Sequence, residues 1–242
     1  MEQRTCRGLS ANTLKLIAVA AMTLDHYAWA FVPTASLAGQ LMHVAGRLTA
    51  PIMCFFVAEG YAHTRDVRRY ALRLGVFALL SHLPYTFYST GRLAFFYETG
   101  VIFTLFLGLA AILVADSALP RWAKALLLAA IFLASTVGDW SCYAVAWVLV
   151  FHLFRGDPRR RALGFCFVAL VAAVTLAIDM GSGGIWWQGL CQFGTLLAYP
   201  LLTLYNGERG RLRLKWFFYI YYPVHLVLLA LLRQYLWYGY LW

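Results

Sequence analysis

The sequence predicts an all-α polytopic membrane protein with about nine transmembrane helices, and its composition, apolar runs and charge placement all support this. The chain has 242 residues, of which 62% are hydrophobic and only 12% are charged. A soluble domain of this length cannot bury so much apolar surface, because chain length limits the buried fraction. Most of the chain is therefore expected to have lipid as its solvent.

Nine apolar runs approach the roughly 20 residues that a helix needs to cross a membrane. They cover residues 13–32, 45–63, 69–88, 99–115, 121–137, 140–154, 161–178, 185–204 and 215–237. The fifth and sixth runs are short, and only Gly138 and Asp139 separate them. Because no long linker or clear repeat interrupts the series, residues 1–242 are predicted to form one integral membrane domain.

The basic residues give these runs a direction. With the N-terminus inside, all of the 20 Lys and Arg residues except Arg47, Arg92 and Arg233 fall at the inner side of the nine spans. This is the pattern that the positive-inside rule describes, and nine spans then place the C-terminus outside. The net charge of +10 is therefore explained by orientation, and no nucleic-acid partner is predicted.

Several ionisable residues lie within the apolar runs, where an unpaired charge costs at least ~3 kcal/mol. Such residues are functional candidates, although they can also serve only to hold helices together. Depth along the helices predicts one cluster in the outer half and a Glu59–Arg73 ion pair in the inner half. The outer cluster is expected to contain Asp25, His26, Arg47, His82 and His225.

The adjacent pair Asp25-His26 is not expected to act as a simple acid–base dyad. Neighbouring helical residues point about 100° apart, so each side chain meets a different partner. We expect Asp25 to neutralise Arg47, and His26 to face an internal cavity as a general base. The alternative for His26 is a hydrogen-bonded packing residue. Pro51 and Pro223 stand near these residues and favour a polar cavity over solid packing.

A glycine-bearing turn with a basic tail covers residues 205–211 on the predicted inner face. Such a turn suits a phosphorylated cofactor such as coenzyme A, although topogenic charge and anionic lipid explain it nearly as well. The five cysteines are scattered without CxxC spacing, so neither a disulfide framework nor a metal site is predicted. No P-loop, dinucleotide fingerprint, HExxH or GxSxG motif indicates another chemistry.

Five polar motifs, in order along the chain, carry a family resemblance. They are DH at 25–26, GR-x-x-x-P at 46–51, EG-x-x-HT at 59–64, YNG-x-RG at 205–210 and YP-x-HL at 222–226. Together they resemble the TraX family, whose namesake is associated with N-acetylation of F pilin. That family is similar in turn to membrane acyltransferases that modify glycans, in which an intramembrane histidine is regarded as catalytic.

The resemblance implies an acetyltransferase that uses cytoplasmic acetyl-CoA, in the bacterial inner membrane. It implies His26 as the catalytic histidine, with Arg47 as the arginine of the GR motif. One departure concerns Gly100, which stands where an asparagine is expected. We assign four residues to catalysis: Asp25, His26, Arg47 and His225. We assign five to cofactor binding: Asn206, Arg209, Arg211, Arg213 and Tyr222.

The acceptor is left open between a protein amine, such as a pilin N-terminus, and a hydroxyl of an envelope glycan. Two other classes of function also fit the intramembrane polar residues. One is a transporter or flippase that binds a polar solute without chemistry. The other is a haem cytochrome that uses two of the six histidines as axial ligands.

Overall fold

The computed structural model describes residues 8–95, 97–183, 185–212 and 214–238, with the backbone alone at positions 215 and 238. Over these ranges the chain is helical and contains no β-strand. A 3-10 helix, Trp186–Leu197, lies between α8 and α9. The α-helices are α1 (Ala11–Phe31), α2 (Leu37–Gly46), α3 (Thr49–His63), α4 (Val67–Thr90), α5 (Val101–Asp116), α6 (Arg121–Ser135), α7 (Ser141–Leu153), α8 (Pro158–Gly181), α9 (Ala198–Thr203) and α10 (Lys215–Tyr238).

The sequence correctly placed helical structure in each of the nine apolar runs. Three helical stretches of the described chain are both long and apolar enough to cross a membrane, namely Leu37–His63, Pro158–Gly181 and Trp216–Trp237. Apolar helices α5 and α7 are shorter. The helical, membrane-type character of the chain is therefore confirmed, and the crossing of all nine runs stays a prediction.

The second predicted run is longer than expected and consists of two consecutive helices. Helix α2 begins at Leu37, where the Ser36 hydroxyl accepts a hydrogen bond from the Gly39 N–H and caps the helix. Helix α3 follows after only two residues, with Pro51 in its first turn, where proline is tolerated. A segment predicted as a loop therefore adds a helix to the candidate site.

The eighth predicted run is wrong in helix type, because Trp186–Leu197 is a 3-10 helix. This segment packs between α8 and α2. A Cβ at Gly189 would overlap the Ala177 backbone, and one at Gly194 would press on the Val44 backbone. The two glycines thus permit backbone contact on both sides. At about 2.0 Å per residue, a 3-10 helix also spans more distance than an α-helix of equal length.

Large apolar side chains cover much of the exterior. On α4 and α8, for example, Leu79 is 78% exposed, Phe167 is 70% exposed and Ile178 is 68% exposed. Exposed apolar surface of this kind is unfavourable in water and suits contact with lipid tails. The outer surface therefore agrees with the membrane class that the composition indicates.

Helix α1 contacts α2, α3 and α10. Its buried side chains form one stripe, which includes Leu14, Ala18, Met22, Asp25 and Ala28. This spacing of three to four residues is that of a single helical face. Asp25 thus lies on the stripe that the sequence turns inward, and His26 lies beside it.

Candidate functional site

Two cavities lie along α1, and the one beside its first half is basic. This basic cavity has a volume of about 390 Å³ and is lined by Lys15 of α1, Arg73 of α4 and Arg209 of the turn before α10, among others. None of these three cations forms an ion pair with an acidic side chain of the described chain. Their charge is therefore available to an anionic ligand.

The second cavity lies beside the other half of α1 and contains the candidate histidine. This histidine cavity has a volume of about 490 Å³. Its polar lining includes Asp25, His26, Arg47, Asp139 and Arg233. Both cavities have the size of ordinary small-molecule sites.

The two cavities adjoin. Met22, Thr49 and Val101 line both of them. These residues come from α1, α3 and the first position of α5, so the junction lies where three helices meet. A ligand in the basic cavity that reached this junction would come close to His26.

Asp25 is tied to the neighbouring helices and not to His26. Its Oδ2 accepts a hydrogen bond from Arg47 Nη2 at 2.5 Å, and its Oδ1 is 2.8 Å from His43 Nδ1. Asp25 and Arg47 are 7% and 8% exposed, and His43 is fully buried. Gly46 permits this approach, since a Cβ there would overlap the Asp25 carboxyl group. The expected Asp25–Arg47 pair is therefore present, with a histidine that the sequence reading missed.

Arg47 is held on two further sides. Its Nη1 donates a hydrogen bond to Gln192 Oε1 of the 3-10 helix at 3.2 Å. Its guanidinium lies 4.9 Å from the centre of the Trp140 ring. Trp140 has a φ of 63°, a left-handed conformation that is uncommon for a bulky residue. The backbone is thus strained where it places the ring against Arg47.

His26 forms a hydrogen-bonded chain with His225, a contact that the sequence did not predict. His26 Nδ1 is 2.7 Å from His225 Nε2, and His225 Nδ1 is 2.9 Å from the Tyr221 carbonyl oxygen. A carbonyl only accepts, so His225 Nδ1 carries the proton and donates. With both rings neutral, His225 Nε2 then accepts from His26 Nδ1.

This arrangement fixes the free nitrogen of His26. Because Nδ1 carries the proton, Nε2 holds a lone pair. No side chain or backbone group of the described chain bonds to this Nε2, and the His26 side chain lines the histidine cavity. His26 therefore presents a proton acceptor to the cavity, which is the state that a general base needs.

Two other expectations about polar pairs are wrong. His82 does not join the outer cluster, since its Nε2 bonds to the Phe95 carbonyl oxygen at 2.9 Å. Glu59 pairs with Arg155 at 3.2 Å and not with Arg73, whose Nε donates to the Tyr219 hydroxyl at 3.3 Å. Depth along a helix was the basis of both expectations, and depth does not specify which helix face meets which neighbour.

The YNG-x-RG motif forms a turn that holds the start of α1. The carbonyl oxygens of Glu208 and Arg209 accept hydrogen bonds from the N–H groups of Ala11 and Asn12 at 2.8 and 3.1 Å. Asn206 Oδ1 accepts from the Glu208 N–H at 2.9 Å and stabilises the turn itself. The motif thus places the Arg209 side chain at the basic cavity.

The five residues assigned to cofactor binding have different positions. Arg209 and Tyr222 line the basic cavity. Asn206 and Arg211 do not line it; the Asn206 side chain serves the turn, and Arg211 is exposed nearby. Arg213 lies outside the described residues.

Asp139 is an acidic residue of the histidine cavity that the sequence reading did not select. It lies in the short connection between α6 and α7, outside the helices. Burial raises the pKa of Asp139 to about 6, against the opposing effect of the nearby Arg47. Asp139 therefore changes charge near neutral pH, beside the groups that hold Arg47.

No group of three or more His, Cys, Asp or Glu side chains in the described ranges is placed to hold a metal ion. His26 and His225 are in direct hydrogen-bond contact. An axial pair would need room for iron between its two nitrogens, so these two residues do not form one as they stand.

The fold and the two cavities define a helical membrane-type protein with a buried polar site between its helices. The TraX protein family matches residues 10–233, and the chain belongs to this family. It is also 33% identical over 239 residues to the probable fimbrial assembly protein FimC, serogroup H1, of Dichelobacter nodosus; the match covers 94% of this chain and 97% of that protein. No solved structure matches the chain.

Proposed function

We propose that the protein is a membrane-embedded acyltransferase that transfers an acetyl group from acetyl-CoA to an amine or hydroxyl. The observation that carries this proposal is the position of His26 Nε2, which faces a polar cavity that adjoins a separate basic cavity. One cavity suits an anionic donor, and the other suits an acceptor. Their junction lets the two substrates meet beside a base.

In the reaction, His26 Nε2 takes a proton from the acceptor as its nitrogen or oxygen attacks the thioester carbonyl carbon. The carbon–sulfur bond then breaks, and the leaving thiolate takes the proton from His26. His225 stabilises the transient imidazolium because its Nε2 accepts from His26 Nδ1. Asp25 supports this charge from the next position on α1, although Arg47 and His43 hold its oxygens.

Coenzyme A suits the basic cavity by charge. Lys15, Arg73 and Arg209 offer cations to its phosphates, as arginine and lysine commonly do. The cavity of about 390 Å³ has room for the acyl-bearing arm, with the nucleotide at the exposed Arg209 mouth. The thioester would then lie toward the junction formed by Met22, Thr49 and Val101.

The sides of the membrane follow from the proposed topology of nine spans with the N-terminus inside. The basic cavity then opens to the cytoplasm, where acetyl-CoA is available, and the histidine cavity opens to the outer side of the bacterial inner membrane. The acceptor is a protein amine or a glycan hydroxyl reached from that side. The name of the Dichelobacter relative, a probable fimbrial assembly protein, makes a fimbrial subunit one candidate.

The test uses purified full-length protein in detergent or vesicles with acetyl-CoA labelled in the acetyl group. We expect His26→Ala to lower acetyl transfer at least 100-fold, since general-base catalysis contributes about that much or more. His82→Ala is the matched control, because His82 lines neither cavity, and it should keep its activity. Full transfer by His26→Ala would overturn the assignment of the base.

A transporter or flippase is the alternative, because two adjoining cavities with charged residues in their linings also suit a solute pathway. That function predicts flux of a polar solute without acetyl-CoA binding or transfer. Vesicles that contain the wild-type protein separate the two proposals when both labelled transfer and solute release are measured. If the vesicles show solute flux but no acetyl transfer to any amine or hydroxyl acceptor tested, the protein is a carrier and the acyltransferase proposal is wrong.

A further inference from the structure

The Tyr222 hydroxyl is a buried polar group without a partner. Tyr222 is 3% exposed, and its oxygen has no hydrogen bond to any described residue. A buried hydroxyl left unpaired is costly, and native proteins satisfy most such groups. A ligand atom that accepts from this hydroxyl would remove that cost.

The same hydroxyl lies at the N-terminus of α5. Its oxygen packs directly on Gly100, where a Cβ would overlap it. Gly100 provides no side-chain cap, so the first N–H groups of the 16-residue helix lack the partner that a cap supplies. The Val101 N–H approaches the Tyr222 oxygen without reaching hydrogen-bond geometry. Two donors thus lie next to each other at the positive end of a helix.

These donors lie at the junction of the two cavities. Val101 lines both cavities, and Tyr222 lines the basic cavity. The Tyr222 ring centre is 6.4 Å from that of His26 and 5.7 Å from that of His225. A carbonyl at the junction would therefore lie close to both the donors and the base.

We propose that the Tyr222 hydroxyl and the Val101 N–H form the oxyanion hole for the thioester carbonyl, an inference that rests on the proposed acyl transfer. When the acceptor attacks the carbonyl carbon, the π electrons move to the oxygen, and both donors stabilise the resulting negative charge. The carbonyl reforms as the carbon–sulfur bond breaks. His26 receives the acceptor proton and passes it to the thiolate.

Arg47 is less suited to this role than its charge suggests. Its Nη2 donates to Asp25 and its Nη1 to Gln192. It lines the histidine cavity and not the junction, whereas Val101 lines both cavities. Moving Arg47 to the thioester would break a buried ion pair. The sequence assigns Arg47 and His225 to catalysis, and this proposal gives the stabilisation of the oxyanion to the donors at the start of α5.

Tyr222→Phe tests the proposal with a change of one oxygen. We expect kcat to fall about 100-fold, as for the loss of one oxyanion-hole donor, with little change in the KM for acetyl-CoA. The melting temperature should not fall, because the lost hydroxyl has no partner. The control is Tyr143→Phe, which removes a hydroxyl bonded to Thr175 Oγ1 at 2.6 Å, away from both cavities. That variant should lose stability and keep kcat.

A spectroscopic measurement removes the dependence on turnover. Acetyl-CoA with carbon-13 at the thioester carbonyl is bound to His26→Ala and to His26→Ala/Tyr222→Phe. Infrared spectra should show a lower carbonyl stretching frequency in the first variant, because the hydroxyl polarises the bond. Equal frequencies, or an unchanged kcat in Tyr222→Phe, would overturn the oxyanion hole while leaving an active acyltransferase. A wild-type protein that neither binds nor turns over acetyl-CoA would overturn the proposed function, and the oxyanion hole with it.

Discussion

At the scale of single residues, Asp25 organises the histidine cavity through its partners. The carboxylate bonds to Arg47 and to His43, and the adjacent His26 is turned to a different neighbour. A buried charge is tolerated only when it is paired and hydrogen-bonded. The Asp25–Arg47 pair thus keeps two buried charges near the site, and neither of them is hydrogen-bonded to His26.

The buried pair predicts a large and recoverable loss of stability. We expect Asp25→Asn to lower the free energy of unfolding by about 3 kcal/mol, because it leaves Arg47 buried without its counter-charge. Adding Arg47→Met should recover most of this loss. The free energy of unfolding in detergent is measured for the wild type, the single variant and the double variant. Arg160→Met is the control; its pair with Asp157 is solvent-exposed and should contribute little. A double variant no more stable than Asp25→Asn would show that the charge is not the cause.

Asp139 predicts a pH dependence that reports on the acceptor. Since its pKa is raised to about 6, the side chain is neutral below this pH and negative above it. We expect the KM of a cationic amine acceptor to fall as the pH rises through about 6, because the cavity gains an attractive charge. Arg47, Asp25 and Glu98 also act on this group.

Initial rates measured from pH 5 to 8 test this dependence with an amine and with a neutral hydroxyl acceptor. Asp139→Asn should flatten the KM profile for the amine, and the hydroxyl acceptor should show no such change in either protein. Any effect of pH on the general base would change kcat for both acceptors and is thereby separated. An amine KM that is independent of pH in the wild type would exclude Asp139 from acceptor binding.

The sequence predicted some of these residue contacts and missed others for identifiable reasons. Helix geometry alone separated Asp25 from His26, because adjacent side chains diverge by about 100°. His43 was missed because it lies between the predicted runs 13–32 and 45–63, although Ser36 is a suitable helix cap before an apolar segment. Glu59 was paired with the wrong arginine because the facing helix depends on packing.

At the scale of elements, the turn before α10 joins the two ends of the fold. Its backbone carbonyls hold the N-terminus of α1, and Gly207 and Gly210 have φ angles of 80° and 89°. Glycine adopts this left-handed conformation at little cost. The motif that suggested cofactor binding therefore also has a structural role, since it fixes where α1 begins.

The two glycines predict different effects of the same substitution. Gly207→Ala should cost about 1 kcal/mol, for the left-handed backbone alone, because open space surrounds this position. Gly210→Ala should cost more, since its Cβ would lie 2.7 Å from Ser10 Oγ and press on Asn12. Thermal unfolding of both variants in the same detergent checks the order. Equal losses would show that the contact with the start of α1 adds nothing.

The positions of the helices were predicted better than the type of helix, α or 3-10. Apolar runs located the helices because lipid and the core both favour apolar residues. The pattern did not reveal that residues 186–197 form a 3-10 helix, since periodicity over so short a segment separates the two types poorly. The information lay in Gly189 and Gly194, which permit backbone contacts that only the assembled neighbours define.

At the scale of the whole molecule, the cavity linings agree with the proposed topology. The basic cavity is lined by His63, Thr64 and Arg209, at connections that nine spans place inside. The histidine cavity is lined by Glu98 and Asp139, at connections that nine spans place outside. Each cavity therefore takes its connecting residues from one side only, as expected if the helices cross a membrane in alternating directions.

This agreement leads to a labelling prediction. With all five native cysteines replaced, single cysteines are placed at Leu93 in the α4–α5 connection and at Arg211 in the turn before α10. Leu93 is 67% exposed and Arg211 is also exposed, so both sites are reachable. In intact spheroplasts, an impermeant maleimide should label Leu93→Cys and not Arg211→Cys, because nine spans place them on opposite sides of the membrane. Permeabilisation should make both sites reactive, which controls for thiol reactivity.

Labelling of both sites before permeabilisation would contradict the topology, because it would place Leu93 and Arg211 on the same, outer side of the membrane. Acetyl-CoA could then not reach the basic cavity from the cytoplasm as proposed.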